Sequence, residues 1–373
     1  MANMRLATSA TVATVVAGVA ALLLGCKKDP ADPVVTPDPA PPGDTSPVHV
    51  DLSRVPYDSL STYGFFTGAL ASLTPAEGVL PYQPINTLFS DYAHKARFVW
   101  MPAGSHADYV SDSSALAFPE GAVLIKNFYY DHVQPDDVRK LLETRLLIRK
   151  NGAWVVADYQ WNAEQTEAVR QTFGVNVPVQ WLGDDNALHD VIFRIPSETE
   201  CHTCHDRNGA PIPIGPKPQN LNGDYAYSTG TMNQLAKWSA SGYLGSYPAN
   251  INTVARWDDP NASLTDRVRG YVDINCSHCH ANGRYCSYRQ MRFAWAETAD
   301  PFYLGVCMHP ADPLLPVHTH IVKPGNLEKS LLYYRINSGQ DGIRMPLLGR
   351  TLIHEEARQL IEQWILSLNQ TCN

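Results

Sequence analysis

The feature that most constrains this chain is a pair of short motifs built from cysteine and histidine. Residues 201–205 read Cys-His-Thr-Cys-His, and residues 276–280 read Cys-Ser-His-Cys-His. Two thiols about one helical turn apart can each add to one vinyl group of the same porphyrin. The histidine that follows is carried beneath the ring, where its imidazole can bind iron. The motifs therefore predict two covalently bound haem c groups and their iron, held by Cys201, Cys204, His205, Cys276, Cys279 and His280.

Two other kinds of site use the same residue types. Zinc sites made from paired Cys-x-x-Cys motifs usually place the pairs much closer in sequence than Cys204 and Cys276 are. A thioredoxin-like dithiol needs a βαβ context, and it does not require a histidine after its second cysteine. Haem attachment therefore accounts for the pattern better than either alternative.

The start of the chain is predicted to be a lipoprotein signal peptide. Arg5 precedes an apolar run, residues 11–24, that is too short to span a bilayer permanently. The run ends in Leu-Leu-Gly-Cys, which looks like a bacterial lipobox, so we expect Cys26 to be lipidated; an ordinary signal peptide is the alternative. The protein should then lie at the bacterial cell envelope, on the periplasmic side or the outer-membrane surface, held to the membrane by its lipid.

The remaining cysteines predict a disulfide. The chain has eight cysteines, and lipidation and haem attachment would use five of them. Cys286, Cys307 and Cys372 remain, and at least two should pair in an oxidising compartment. Cys286 and Cys307 are the predicted pair because both fall in the loop-like stretch between the second motif and Met345. The pairing of Cys372 stays open.

Residues 51–197 are predicted to form a mainly antiparallel β domain. An Asn-Gly pair at positions 151 and 152 separates the β-prone runs 142–148 and 154–161, which is a strong hairpin signal. A strand over 191–195 should lead into the first motif. One helix is expected over 163–173.

The C-terminal part predicts helices around the second motif. Ser263 can cap a helix that runs into this motif, and a further helix is expected over 327–336. Met345 follows in a Met-Pro loop, and apolar residues recur at helical spacing over 353–368. This order of elements is that of a class I cytochrome c, and residues 263–368 resemble that family.

Most of the chain also resembles a family of bacterial dihaem c-type cytochromes with an N-terminal domain of unknown role. The resemblance covers about residues 65–365 and implies electron transfer at the cell envelope with unidentified redox proteins as partners. The matching stretches are residues 122–126, 128–130, 159–162, 201–205, 215–222 and 345–350.

A nucleic-acid partner is not expected. The net charge is −8, and the sequence has no basic stripe that could bind phosphates.

The predicted fold is a multidomain α+β structure, in which a mainly antiparallel β domain precedes a haem-binding, mainly α-helical cytochrome c region. At 373 residues the chain is long enough for two or three domains. The predicted segments are the signal peptide (1–25), a proline-rich linker (26–50), the β domain (51–197), the first haem segment (198–260) and the class I cytochrome c domain with the second haem (261–373).

The axial ligands of the two irons indicate the function. His280 and Met345 would fill both axial positions of the second haem, whereas His205 has no certain partner on the first. Met232 is the leading candidate, followed by His189. Iron with six ligands leaves no place for a substrate. We therefore expect an electron carrier with no catalytic residues; a dihaem peroxidase-like oxidoreductase with an open first haem is the alternative.

Overall fold

The computed structural model describes residues 46–372 and the backbone of Val34–Val35. The predicted signal peptide (1–25), the predicted lipidation site Cys26 and most of the predicted 26–50 linker lie outside the described residues. No helix in the described part of the chain is long and apolar enough to cross a membrane.

The largest element is an eight-stranded antiparallel sheet. Its main strand order is β2-β3-β4-β5-β6-β7, with β8 beside β4 and β9 beside β8. The two-stranded pairs are β1 with β14, β10 with β11, and β12 with β13. The described strands are β1 (Val34–Val35), β2 (Leu80–Pro81), β3 (His94–Trp100), β4 (Val123–Val133), β5 (Val138–Lys150), β6 (Ala153–Trp161), β7 (Ala168–Arg170), β8 (Val175–Leu182), β9 (Leu188–Ile195), β10 (Asp206–Arg207), β11 (Ala210–Pro211), β12 (Asp224–Tyr227), β13 (Gly230–Asn233) and β14 (Tyr247–Pro248).

The predicted β character of residues 51–197 is confirmed, and so is its central hairpin. Strands β5 and β6 pair from Glu143 with Gln160 to Lys150 with Ala153. The connecting Asn-Gly pair has φ values of 54° and 72°, as a type I′ turn requires at both central positions. Strand β9 likewise leads into the first motif as expected.

The prediction of a helix over residues 163–173 is wrong. The structure places strand β7 there, paired with the end of β6. Gln165 has a φ of 57°, outside the helical region, and its side chain bonds the backbone of Leu141. The tertiary hydrogen bonds of a sheet edge therefore outweigh the local helical preference.

The prediction that the haem-binding region is mainly α-helical is also wrong. Helices of only 4 to 13 residues occur in the described part of the chain, and turns and irregular segments connect them. Proline and glycine are frequent between residues 301 and 325, and proline cannot continue a helix because it lacks the backbone donor. The helices are α1 (Glu198–His205), α2 (Pro218–Leu221), α3 (Gln234–Ala240), α4 (Leu264–Asn275), α5 (Leu331–Ile336) and α6 (Glu355–Ser367), with 3₁₀ turns at Leu60–Tyr63 and Leu70–Ser72.

The central sheet is covered on both faces. One face, with Ile125, packs on the segment that precedes the sheet. The opposite face, with Leu124, packs on Trp238 of α3, so residues after the first motif share a core with the β strands. Trp238 is fully buried and meets the rings of Tyr82 and Phe118 at centroid distances of 5.5 and 6.3 Å.

The C-terminal helices form their own core. Helix α6 buries the apolar face predicted from its periodicity and packs mainly on α4. Ser263 caps α4 as expected, because its hydroxyl accepts a hydrogen bond from the backbone N–H of Asp266 at 3.1 Å. The residues of α6 that are buried in this core are Ala357, Leu360, Ile361, Trp364 and Ile365.

Replacing Trp238 with alanine should destabilise the sheet and the first motif segment together. The change removes a fully buried aromatic side chain, which costs about 3–5 kcal/mol of unfolding free energy. Urea unfolding followed by circular dichroism would measure the loss. Phe173→Ala is the control, since Phe173 is 78% exposed and should change stability by less than about 0.5 kcal/mol. Equal effects of the two substitutions would contradict a shared core.

Candidate cofactor site

The first motif lies on helix α1. A capping box fixes the start of this helix: the Ser197 side chain accepts from the Glu200 N–H at 3.1 Å, and the Glu200 carboxylate accepts from the Ser197 N–H at 2.7 Å. The motif spans the rest of the helix, so Cys201 and Cys204 are nearly one turn apart. Cys201 is buried, and its burial raises the pKa of the thiol to about 12.

His205, the last residue of α1, has one ring nitrogen in a hydrogen bond and the other available to bind a metal. Its Nδ1 lies 2.9 Å from the carbonyl oxygen of Ile212, which makes Nδ1 the protonated donor and leaves Nε2 available. Burial lowers the pKa of His205 to about 4, so the imidazole is neutral at neutral pH. A neutral imidazole with one nitrogen bonded to a backbone carbonyl is the usual state of a metal ligand.

The second motif begins where helix α4 ends. The backbone N–H groups of Cys279 and His280 both donate to the carbonyl of Cys276, at 3.1 and 2.9 Å, and this turn brings the two thiols to one side. His280 is buried, and burial lowers its pKa to about 4. Its Nδ1 has no hydrogen-bond partner within residues 46–372.

A cavity of about 910 Å³ opens beside the second motif. Its volume lies within the range of about 300–1,000 Å³ that is typical of cofactor sites. Cys276, Cys279, His280 and Met345 all line it, so the predicted attachment residues and the predicted sixth ligand share one cavity. Two thiols, a neutral imidazole and a thioether around such a volume fit a haem c.

Other possible ligands line the same cavity: Met291, Met308 and His309. Of these, only Met308 is an alternative to Met345 that would be considered from the sequence. No sequence motif marks these three residues, because turns of the irregular 281–330 region bring them there. Met308 is the strongest competitor of Met345, since its side chain is buried in the C-terminal core.

The Met345 loop is held by buried charged groups. Arg350 is 4% exposed, and its guanidinium donates to five backbone carbonyls, among them that of Met345 at 2.9 Å. Asp91, from the loop before β3, accepts from the N–H groups of Thr351 and Leu352, both at 2.7 Å. The segment that carries Met345 is therefore bonded both to the end of α5 and to the β domain.

The two motifs meet in space. Possible ligand atoms of Cys204, His278 and Cys279 all lie within 4.8 Å of one another. The thiol of Cys279 lies 3.9 Å from the carbonyl of Thr203, and Thr203 and Cys204 reach the wall of the larger cavity. A hydrogen bond between the two thiols lowers the pKa of Cys204 and raises that of Cys279. The sequence distance between Cys204 and Cys276 argued against a metal site shared by both motifs. The fold brings the two motifs together, so that argument no longer applies.

The cavity beside Cys201 and His205 is much smaller, at about 90 Å³. It lies between the sheet face with Arg97, Lys126 and Arg145 and the loop 213–216. The donor atoms suit a haem c, but the volume is well below that of a cofactor site. A porphyrin bound there requires the loop to stand farther from the sheet.

The structure does not bring the predicted distal ligands to the first motif. Met232 lies on β13 opposite Tyr225, is 43% exposed and does not line the smaller cavity. His189 is paired with Asp185 at 2.9 Å on the exposed rim of β9. Neither residue lies with His205 in the site.

The predicted disulfide between Cys286 and Cys307 is wrong. Cys307 pairs with Cys372, whereas Cys286 is a free, buried cysteine on the wall of the larger cavity. The sequence argument counted only the cysteines within the loop. The fold instead returns the chain end to this loop, because α6 packs on the same C-terminal core.

Peptide mapping of the purified protein without reduction should recover a peptide pair joined through Cys307 and Cys372. Cys372→Ser should lower the unfolding free energy by about 2–4 kcal/mol, because the bond closes a loop of 65 residues. The measurement is urea unfolding of both forms. Cys286→Ser is the control and should leave the mapped pair in place; a Cys286–Cys307 peptide would contradict the structure.

Comparisons with known proteins do not identify what this site binds. No family model, no curated protein and no solved structure matches the chain. What the site binds must therefore follow from its own residues: four motif thiols, two neutral imidazoles and the thioether of Met345 around adjoining cavities.

Proposed function

We propose that this chain is a dihaem c-type cytochrome that carries electrons between redox proteins at the bacterial cell envelope. Cys201, Cys204 and His205 would hold the first haem, and the second motif would hold the other. Met345 would be the sixth ligand of the second iron. A lipid on Cys26 would anchor the protein to the membrane.

The observation that carries the proposal is the shared cavity of the second motif and Met345. These residues lie 65 positions apart, yet both line a volume suited to a flat cofactor. Haem supplies reversible one-electron transfer when it is bound. Around it, His280 and Met345 would supply ligands on the iron, and the predominantly apolar surroundings would limit access of water.

The contact between the motifs supports transfer from one haem to the other. Cys204 and Cys279 are the second attachment residues of their motifs, and their sulfur atoms lie within 4.8 Å of each other. Haem groups held by these two cysteines would therefore lie close to each other. Electron tunnelling falls steeply with distance, so such an arrangement favours rapid exchange within the chain.

A metal ion on Cys204, His278 and Cys279 is a second candidate, because the three ligand atoms are grouped. Zinc in a catalytic site commonly has three protein ligands and an open fourth position. This alternative gives no role to Cys201, Cys276, His205, His280 or the cavity beside Met345. Two haems account for all of these residues, and we therefore prefer them.

A peroxidase-like activity would need an open iron with acid–base groups beside it. The first site has no thioether or second imidazole among the residues that line its cavity. The second site has both His280 and Met345 available. An electron carrier remains the better proposal because the larger, better formed cavity is the one with two axial ligands.

The purified protein should carry two covalent haems per chain. A haemochrome spectrum in alkaline pyridine and total iron analysis would count them, and Cys276→Ser with Cys279→Ser should remove one. Stoichiometric zinc with no covalent haem would instead support the metal site of Cys204, His278 and Cys279.

Met345→Ala should lower the reduction potential of the second haem by about 60 mV or more, a tenfold shift in the one-electron equilibrium. The physical reason is that a thioether favours ferrous iron. The weak near-infrared absorption from sulfur to ferric iron should disappear. Met308→Ala is the matched control, and loss of the band there but not in Met345→Ala would reassign the ligand to Met308.

Cyanide, carbon monoxide and hydrogen peroxide should leave the spectrum of the dihaem protein unchanged over the time of a turnover assay. The second iron would have no exchangeable position, because His280 and Met345 both line its cavity. At the first iron, where the lining residues include no second axial ligand, inertness to these ligands is what distinguishes a carrier from a peroxidase. Rapid ligand binding at one haem, with peroxide-dependent oxidation of a reduced donor, would replace the carrier by a peroxidase.

A further inference from the structure

The segment of residues 86–92 connects strands β2 and β3 and bonds three separate parts of the C-terminal region. Its side chains are largely buried: Asn86, Phe89 and Asp91 are 1%, 9% and 2% exposed. The partners lie before helix α4, at the end of α4 and in the loop after Met345. The β domain therefore contacts the larger site from both sides through one short segment.

The first contact is with the stretch that precedes helix α4. The side chain of Asn86 donates to the carbonyl of Ala255 at 2.8 Å and accepts from the backbone N–H of Trp257 at 3.1 Å. Helix α4 packs so closely on this stretch that a Cβ on Gly270 would overlap the Ala255 carbonyl oxygen. Only glycine leaves room for this approach. Helix α4 is therefore seated directly on the stretch that Asn86 holds.

The second contact lies next to an attachment cysteine. Asn275 is the last residue of α4, directly precedes Cys276 and lines the larger cavity. Its buried side-chain oxygen accepts from the backbone N–H of Phe89 at 2.8 Å. Its amide nitrogen donates to the carbonyl of Tyr271, one turn earlier, at 3.0 Å. The 86–92 segment therefore holds the end of the helix from which the second motif starts.

The third contact is with the loop after Met345. One oxygen of the Asp91 carboxylate accepts from the N–H groups of Thr351 and Leu352, and the other accepts from the Thr351 hydroxyl at 3.2 Å. Hydrogen bonds to an ionised acceptor are stronger than those between neutral groups. Burial lowers the pKa of Arg350, and the carboxylate of Asp91 is among the charges that oppose this. The loop is thus bonded to the β domain through its backbone.

The backbone of the segment is held in an unusual conformation. Asp91 and Tyr92 have φ values of 49° and 62°, in the left-handed region that a bulky side chain such as tyrosine rarely adopts. Such a conformation persists only where the surrounding contacts over-determine it. Here the Tyr92 hydroxyl accepts from the N–H of Glu355 at 3.1 Å, and Phe89 stacks on His354 at a centroid distance of 4.2 Å. The start of helix α6 therefore fixes the segment in place.

We propose that the 86–92 segment, with Asp91 as its positioning residue, keeps Met345 on the second iron. This inference rests on the proposed function, since it needs a haem at the second motif and Met345 as its ligand. One segment bonds the residue before Cys276 and the residues after Met345, so it sets the separation of the two sides of the cavity. Met308 and His309 line the same cavity and would compete for the iron. A loop held in place favours Met345 over these residues and over added ligands, which gives the β domain a part in the redox site.

The main test is a titration of the ferric dihaem protein with imidazole, brought to equilibrium at each concentration. Imidazole competes with a thioether for the iron, and the near-infrared absorption from sulfur to iron disappears as Met345 leaves. Asp91→Gly removes the carboxylate and tolerates the positive φ. The imidazole concentration that removes half of the band should fall about tenfold or more, because the loop is open more often. Asp91→Asn keeps an oxygen acceptor and should restore most of the original value.

Asp137→Gly is the matched control for this titration. Asp137 also has a positive φ, 53°, but it lies in the exposed turn between β4 and β5, where it is paired with His132. The same substitution there should leave the imidazole titration unchanged. Equal titrations of Asp91→Gly and Asp137→Gly would overturn the proposal.

Urea unfolding separates a positioning role from general stabilisation. In Asp91→Gly the near-infrared band should be lost at a lower urea concentration than the circular dichroism, because the loop opens before the fold does. Coincident loss of the two signals would make Asp91 a general stabilising contact and overturn the proposal. Thr351→Val is the milder variant if Asp91→Gly does not fold, since it removes only the hydroxyl bond to Asp91. It should shift the imidazole titration in the same direction, and an unchanged titration would overturn the proposal.

The failure of this inference is distinguishable from failure of the proposed function. A near-infrared band that requires Met345 but does not respond to Asp91→Gly would refute this inference alone. A band that survives in Met345→Ala would refute the proposed ligation and this inference with it. No covalent haem at Cys276 and Cys279 would refute the proposed function as well.

Discussion

The larger site depends most on the hydrogen bonds that the buried Arg350 side chain donates to backbone carbonyls. Its guanidinium is buried and bonds carbonyls from the end of helix α5 and from the loop that carries Met345. A side chain with five donors is needed here because the loop has little regular structure to satisfy its own carbonyls. Asp91 bonds the next two backbone N–H groups, so the charges of two regions together fix one loop. Loss of either group would leave buried polar atoms without partners, and the wall of the cavity would lose its shape.

Local sequence signals predicted the parts of the fold that local forces decide. The Asn-Gly turn, the Ser263 cap and the apolar face of α6 each depend on a few neighbouring residues, and all three appear as expected. The helix expected over 163–173 failed because the hydrogen bonds of a sheet edge compete there. The prediction of a mainly helical C-terminal region was wrong because the long connections between its motifs form turns. The motifs themselves were correctly located in the sequence.

The sequence predicted which residue types make up the candidate site, but it did not predict their geometry. Spacing alone predicted six attachment residues, and the order of elements predicted Met345 as a ligand. The structure places Met345 in one cavity with Cys276, Cys279 and His280. The grouping of Arg97, Lys126 and Arg145 beside the smaller cavity depends on strand register, which pairs residues 19 to 29 positions apart and leaves no trace in a linear pattern. The contact of Cys204 with Cys279 and the pairing of Cys307 with Cys372 likewise depend on how distant segments pack.

The closeness of the motif cysteines also bears on how such a protein is assembled. In the folded chain, burial raises the pKa of Cys201 and Cys276 to about 12, so these thiols are poor nucleophiles. Cys204 and Cys279 lie near enough to oxidise to each other in an oxidising compartment. A chain that folded before it received its cofactors would thus bury two attachment points and put the other two at risk. Under the proposed function, biogenesis would have to run in the opposite order: the cysteines would be consumed while the chain is still open, and the finished fold would then protect the bonds they have made.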